Sequence, residues 1–165
     1  MIKLEKRILV IFYSFTGNTR LIAETIKNAI NADIQEIKPV KELDPESGMR
    51  FMLGGMQASL KLKAKLKPIN INPIDYELIF IGSPIWAWQV SPPIRSLSKM
   101  YDFSNKKIAI WCCCGGKGIK AMKRINKLFR NAKIIGNKIF QEPLTVNTEE
   151  AKKVAREWAE DMFND

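Results

Sequence analysis

Six consecutive apolar residues, Ile8, Leu9, Val10, Ile11, Phe12 and Tyr13, run into a short polar loop, and behind it the pattern changes period. An unbroken β-branched and aromatic run leaves no face for solvent. It predicts a strand covered on both sides, as in a parallel sheet. From Leu21 onward, Leu21, Ile22, Thr25, Ile26, Ala29 and Ile30 share one face of a helix. The same alternation recurs downstream. Residues 78–81 predict a second buried strand ending at Gly82, and 94–100 a short helix behind Pro92 and Pro93. Residues 107–111 predict a third buried strand running into Cys112. Ile119, Met122, Ile125, Leu128 and Phe129 mark a helix after it, and 133–140 a last strand. Ala151, Val154, Ala155, Trp158 and Met162 stripe a closing helix, with Asn147 and Glu150 spaced as a cap at its start. Residues 32–40 are more polar and contain Pro39, which places that strand at a sheet edge. Strands and helices that alternate in this way predict a doubly wound α/β sheet with helices on both faces. The 165 residues fit one domain, 1–165. Its one irregular stretch is a long connection at about 41–73, interrupted by Gly48, Gly54 and Gly55, with a helix expected from about 49 to 66.

Composition removes whole classes of chemistry. The chain has no His, so imidazole metal ligands and Ser-His or Cys-His nucleophile pairs are excluded. No apolar run approaches the ~18 residues of a membrane span. Lys6 and Arg7 precede the first strand, yet no small-residue cleavage site follows it. The three Cys are consecutive, Cys112, Cys113 and Cys114, unlike a spaced disulfide framework; a reducing, cytoplasmic setting is expected. The net charge of +10 favours anionic ligands and partners. No nucleic-acid motif accompanies it, so neither nucleic acid nor membrane is an expected partner.

In doubly wound sheets, ligands bind beyond the carboxyl ends of the strands where strand order reverses. Three loops therefore matter. The first is Ser14, Phe15, Thr16, Gly17, Asn18 and Thr19, where hydroxyls and an amide surround one Gly at a helix start. Such a cup can bind a phosphate through N–H and O–H donors; an ordinary helix cap is the plainer alternative. It is neither a Gly-Lys-Ser/Thr phosphate loop nor a Gly-x-Gly-x-x-Gly fingerprint. The second, 82–93, carries Trp86 and Trp88 between prolines, a surface for stacking a flat ligand or for packing under the long connection. The third, 112–118, has Gly115, Gly116 and Gly118, which permit close backbone approach. Adjacent Cys on a strand point to opposite faces, so the three cannot form one metal site.

Read together, these loops resemble those of flavodoxins. Ser-Phe-Thr-Gly-Asn-Thr behind the first strand resembles their phosphate loop. Residues 82–93 resemble the Trp-containing flavin loop of a bacterial and archaeal flavodoxin-like subfamily, and Gly115-Gly116 its third flavin loop. The resemblance runs from about residue 6 to 163. It implies a five-stranded parallel sheet of order 2-1-3-4-5, of the short-chain type, holding one FMN without a covalent bond. Ser14, Thr16, Asn18 and Thr19, with Phe15 and Gly17 between them, would hold the phosphate. Ser83, Pro84, Ile85, Trp86, Ala87 and Trp88 would flank one side of the isoalloxazine. Cys114, Gly115 and Gly116 would line its polar edge.

Two departures bear on the role. Flavodoxins are typically acidic, whereas this chain is basic, so an acidic redox partner protein is expected in place of a basic one. Many flavodoxins also place a Gly beside the flavin N5, where this chain has Ala87 after Trp86; a positive φ there would be costly for Ala. An electron carrier is the leading expectation. An FMN-dependent NAD(P)H or quinone reductase and a basic binding module without flavin are its alternatives.

Overall fold

The computed structural model describes residues 6–42, 46, 56 and 62–165. Its strands are β1 Ile8–Phe12, β2 Asp33–Glu36, β3 Leu78–Trp86, β4 Gln89–Val90, β5 Lys107–Cys114 and β6 Lys133–Gln141. The helices are α1 Asn18–Ile30, α2 Pro92–Met100, α3 Ile119–Leu128 and α4 Thr148–Asn164, with a short 3-10 turn at Pro73–Asp75. The sheet runs β2-β1-β3-β5-β6, all parallel, and the two-residue β4 pairs antiparallel to β3. With β4 set aside, this is the expected 2-1-3-4-5 order.

The strands that read as unbroken apolar runs are the central ones. Every residue of β1 is buried, as are Ile108 through Cys114 of β5. Alternate side chains feed two cores. On one face Leu9, Ile11, Ile79, Ile81 and Ile110 pack against Ile94 and Leu97 of α2 and Met122 and Ile125 of α3. On the other, Val10, Phe12, Phe80 and Trp111 pack against Ile22 and Ile26 of α1 and Ala155 and Trp158 of α4. The crossover connections put α2 and α3 on one face and α1 and α4 on the other. β2 is only half-buried at its edge; there Glu36 takes a bidentate contact from Arg20 of α1, at 2.6 and 3.2 Å.

Several elements differ from the expectation. The second buried strand does not end at Gly82. It continues through Trp86, turns at Ala87 and Trp88, and returns as β4, pairing Ile85 with Val90 and Trp86 with Gln89. Both turn residues have positive φ, 47° and 57°, as a two-residue hairpin loop requires. No Asn-Gly or Asp-Gly announces that turn, so it was invisible as a hairpin. Most of the helix expected at about 49–66 lies outside the described residues, but its tail is extended. Leu66 bridges Pro39, Val40 N donates to Lys65 O at 2.8 Å, and Lys67 N donates to Lys38 O at 2.8 Å. Ser96 of α2 fixes this tail by exchanging hydrogen bonds with Ala64, at 2.9 and 2.7 Å. The spacing of Asn147 and Glu150 gives no capping box. Asn147 stands in the left-handed region at φ 48° with no side-chain cap bond, and Thr148 Oγ1 donates instead to Leu144 O at 3.1 Å. Among the described residues no helix is long and apolar enough to cross a membrane.

Candidate functional site

At the carboxyl ends of β1, β3 and β5, beside the switch point between β1 and β3, lies a cleft of about 580 Å³. That falls within the ~300–1,000 Å³ usual for small-molecule sites. The cleft gathers residues from all three loops singled out in the sequence: Phe15, Thr16 and Asn18; Pro84, Ile85, Trp86, Ala87 and Trp88; Cys114 and Gly115.

The first wall is built by the strand-to-helix turn. Gly17 sits at φ 99°, which bends β1 into α1, and its carbonyl takes the Leu21 N–H at 3.0 Å. Ser14 is buried and works from below, its Oγ accepting the Arg20 N–H at 3.2 Å. Among the described residues no partner takes up the N–H groups of Thr16, Gly17, Asn18 or Thr19. The Thr16 hydroxyl accepts from Asn18 Nδ2 at 3.3 Å, which leaves its own proton to donate outward. Thr19 Oγ1 is buried with no nitrogen or oxygen partner, facing only the weakly accepting Cys113 sulfur. Thr19 therefore does not line the cleft with its side chain, contrary to the expectation from the sequence; the unpaired N–H groups of 16–19 and the Thr16 hydroxyl, at the positive end of a helix, are the donors suited to an anion.

The second wall is aromatic. The Trp86 ring is held edge-on by Tyr13 at 5.9 Å and by Phe15 at 5.2 Å. Among the described residues Trp88 has no such ring contact, and it is 70% exposed. Ser83 does not reach the cleft. It is buried at the hairpin base, sharing a 2.9 Å hydrogen bond with Ser91 and donating to Pro84 O at 2.8 Å. The strand alternation that brings Pro84 outward turns Ser83 in.

The third wall is the end of β5. Cys112 and Cys113 belong to opposite cores, as the alternation requires. Burial pushes the Cys113 thiol up to about 12. The Cys114 sulfur lies on the Cys112 side and meets Gly116 O at 2.9 Å. Hydrogen bonding from the Cys112 thiol holds Cys114 below the usual thiol range, against the opposing effect of burial. Among the described residues no group of His, Cys, Asp or Glu could hold a metal. Gly115 lines the cleft, while Gly116 faces open space.

A fourth segment was missed in the sequence. Glu142 and Thr145, in the turn between β6 and α4, also line the cleft, together with Cys113. This turn clamps two of the other loops. Leu144 N donates to Asn18 Oδ1 at 2.9 Å, Glu142 N to Cys114 O at 3.1 Å, and Gln141 Nε2 to Gly115 O at 3.2 Å. Asn18 is therefore a bridge between loops as much as a wall of the cup. The signal available was positional only: Glu142 and Pro143 follow a parallel strand, at the same end of the sheet as the other loops. Glu142 also brings a carboxylate beside Gly115, so the cleft itself is less positive than the chain as a whole.

A doubly wound parallel sheet of order 2-1-3-4-5, with its cleft at the switch point where such folds place their ligands, defines a flavodoxin-like α/β domain. A flavodoxin family model matches residues 7–162, and the chain belongs to the flavodoxin family. Solved structures share the fold. A Lactobacillus acidophilus flavoprotein, determined in complex with FMN, superposes with a TM-score of 0.71 at 22% identity, over 87% of this chain and 97% of its own. Oxidised flavodoxin 2 from Bacillus cereus gives 0.62 at 20% identity, over 96% and 98%. A reduced flavodoxin from Megasphaera elsdenii gives 0.57 at 16% identity, over 93% and 99%. No functionally curated protein matches the sequence.

Proposed function

We propose that this chain holds one FMN non-covalently in the 580 Å³ cleft and serves as an electron-transfer protein. One observation carries the reading: an anion cup, a fixed aromatic wall and an open glycine edge converge on one cavity at the switch point. Thr16 and the free N–H groups of 16–19 would take the phosphate, with Ser14 and Gly17 holding the loop in shape. Trp86 would face the ring system, and Cys114 and Gly115 would approach its polar edge. FMN would supply the electron-accepting chemistry, while the residues around it set affinity and potential through stacking, hydrogen bonds and local charge. The consecutive thiols, which cannot all pair, support a reducing cytoplasmic setting.

Absorbance of the purified protein and chromatography of the released flavin test the cofactor. FMN is the expected species; FAD as the main species, or no flavin uptake, refutes the reading. Steady consumption of NAD(P)H by the loaded protein with a quinone or free flavin as acceptor would replace the carrier by a reductase.

A further inference from the structure

A second concavity of about 810 Å³ adjoins the cleft on the far side of the 87–88 turn. Ala87 and Trp88 line both. Trp88 and Ile119 form its apolar part and are 70% and 56% exposed. Lys117, Lys120, Lys123 and Arg124 surround them, and among the described residues no carboxylate lines the groove.

Three features set this groove apart from an ordinary solvated helix face. The turn that presents Trp88 is strained, because Ala87 and Trp88 both lie in the left-handed region that non-glycine residues avoid. Arg124 then reinforces the strained turn by donating to the Trp88 carbonyl. The strained turn holds a large aromatic residue mostly out in solvent, 70% exposed. The cations are also spread over two elements, Lys117 in the loop before α3 and Lys120, Lys123 and Arg124 along the helix itself. At ~1.5 Å per residue, the backbone positions 120 to 124 alone span roughly 6 Å. A line of charges around exposed Trp and Ile fits an extended surface, with an aromatic anchor and a charged rim. A single phosphate would need converging donors.

We propose that this groove docks an acidic surface of the protein that exchanges electrons with this chain, with Trp88 as the contact nearest the cofactor. The proposal rests on the flavin reading, since it is the shared wall of Ala87 and Trp88 that brings a docked partner next to the cleft.

The test uses the full chain, with and without FMN, titrated at ~10 mM salt with an acidic rubredoxin and, in parallel, with basic cytochrome c. Low salt leaves the Debye length near ~30 Å, so surface charge is fully expressed. One variant carries Lys120→Glu and Lys123→Glu. A control carries Lys153→Glu and Arg156→Glu on α4, which packs on the opposite face of the sheet. Both variants fall from +10 to +6, because each reversal removes two charges. Rubredoxin affinity should drop about tenfold or more in the groove variant and Trp88→Ala should also weaken it, whereas the control changes less than about threefold. Equal losses in both charge variants would leave only a general field and overturn the groove. Cytochrome c binding as tightly as rubredoxin would overturn it as well. So would 2′,5′-ADP displacing rubredoxin at submillimolar concentration, since the groove would then be a nucleotide site. Flavin content of the same samples separates the two readings. A chain that takes up no FMN refutes the cofactor, whereas FMN-loaded protein with unchanged rubredoxin affinity refutes the groove.

Discussion

Gly82 is the residue whose replacement the structure judges most sharply. It sits in β3 directly between Phe12 of β1 and Trp111 of β5, at the level where the strands reach the cleft. The Trp111 indole lies against it, fully buried and 6.5 Å from the Phe12 ring. A Cβ at position 82 would stand 2.1, 2.3 and 2.6 Å from three atoms of that indole. Carbon atoms normally approach to ~3.5–4.0 Å, so the ring would have to retreat by roughly 1.5 Å. It has nowhere to go, because the core behind it is closed by α1 and α4. Overpacking of this kind costs about 1–3 kcal/mol, and a rigid bicyclic ring between sheet and helices places Gly82→Ala at the upper end. For a chain of this size ~3 kcal/mol corresponds to a melting temperature lower by roughly 6–12 °C. Urea and thermal unfolding of the apo-protein measure it. The companion Trp111→Leu removes the obstructing ring, so the double variant should be more stable than the sum of the single losses, with a coupling of about 1–3 kcal/mol. A Gly82→Ala cost below about 0.5 kcal/mol, or two losses that simply add, would refute the reasoning.

Thr16→Ala should weaken FMN by roughly 1.5–3 kcal/mol, about 10- to 150-fold, and leave riboflavin nearly unchanged, because the hydroxyl would donate to a phosphate dianion; titrations with both flavins check this, and equal losses would move the phosphate elsewhere. Thr19→Val should leave apo-protein stability unchanged or raise it by up to ~1 kcal/mol, since it deletes a buried hydroxyl that has no nitrogen or oxygen partner; a clear loss in urea unfolding would show that the Cys113 contact matters. Trp86→Phe should reduce the quenching of protein fluorescence by FMN more than Trp88→Phe does, because only Trp86 is fixed against the cleft by two ring contacts; the reverse order would assign the wall to Trp88. Ala87→Gly should stabilise the apo-protein by about 0.5–1 kcal/mol, the ~1–2 kcal/mol left-handed cost offset in part by glycine's larger unfolded-state entropy; a destabilised variant in thermal unfolding would deny the strain.

The strand and helix alternation was legible in the sequence because each element is stabilised by its own periodicity. Ile8 through Phe12 can only be a doubly covered strand, and the stripe on α4 can only face a core. The loops of the cleft were legible for a related reason. In a parallel sheet all strands end on the same side, so Ser14, Trp86 and Gly115 had to meet once the alternation was read. The sheet also decided the faces of the three Cys, since neighbours in a strand point apart.

What depended on pairing between distant segments was not legible. Ser83 turns inward and Trp86 outward only because β3 extends past Gly82 and folds back onto itself as β4, through a turn whose residues, Ala and Trp, carry no turn signal. The need for glycine at position 82 comes from the register that sets it opposite Trp111, about 30 residues away in the chain. The clamp from the turn after β6 onto Asn18 joins groups 126 residues apart. Strand, helix and loop identity follow from local period and local donors. Which side chain meets which is a property of register and crossover, and only the folded sheet fixes those.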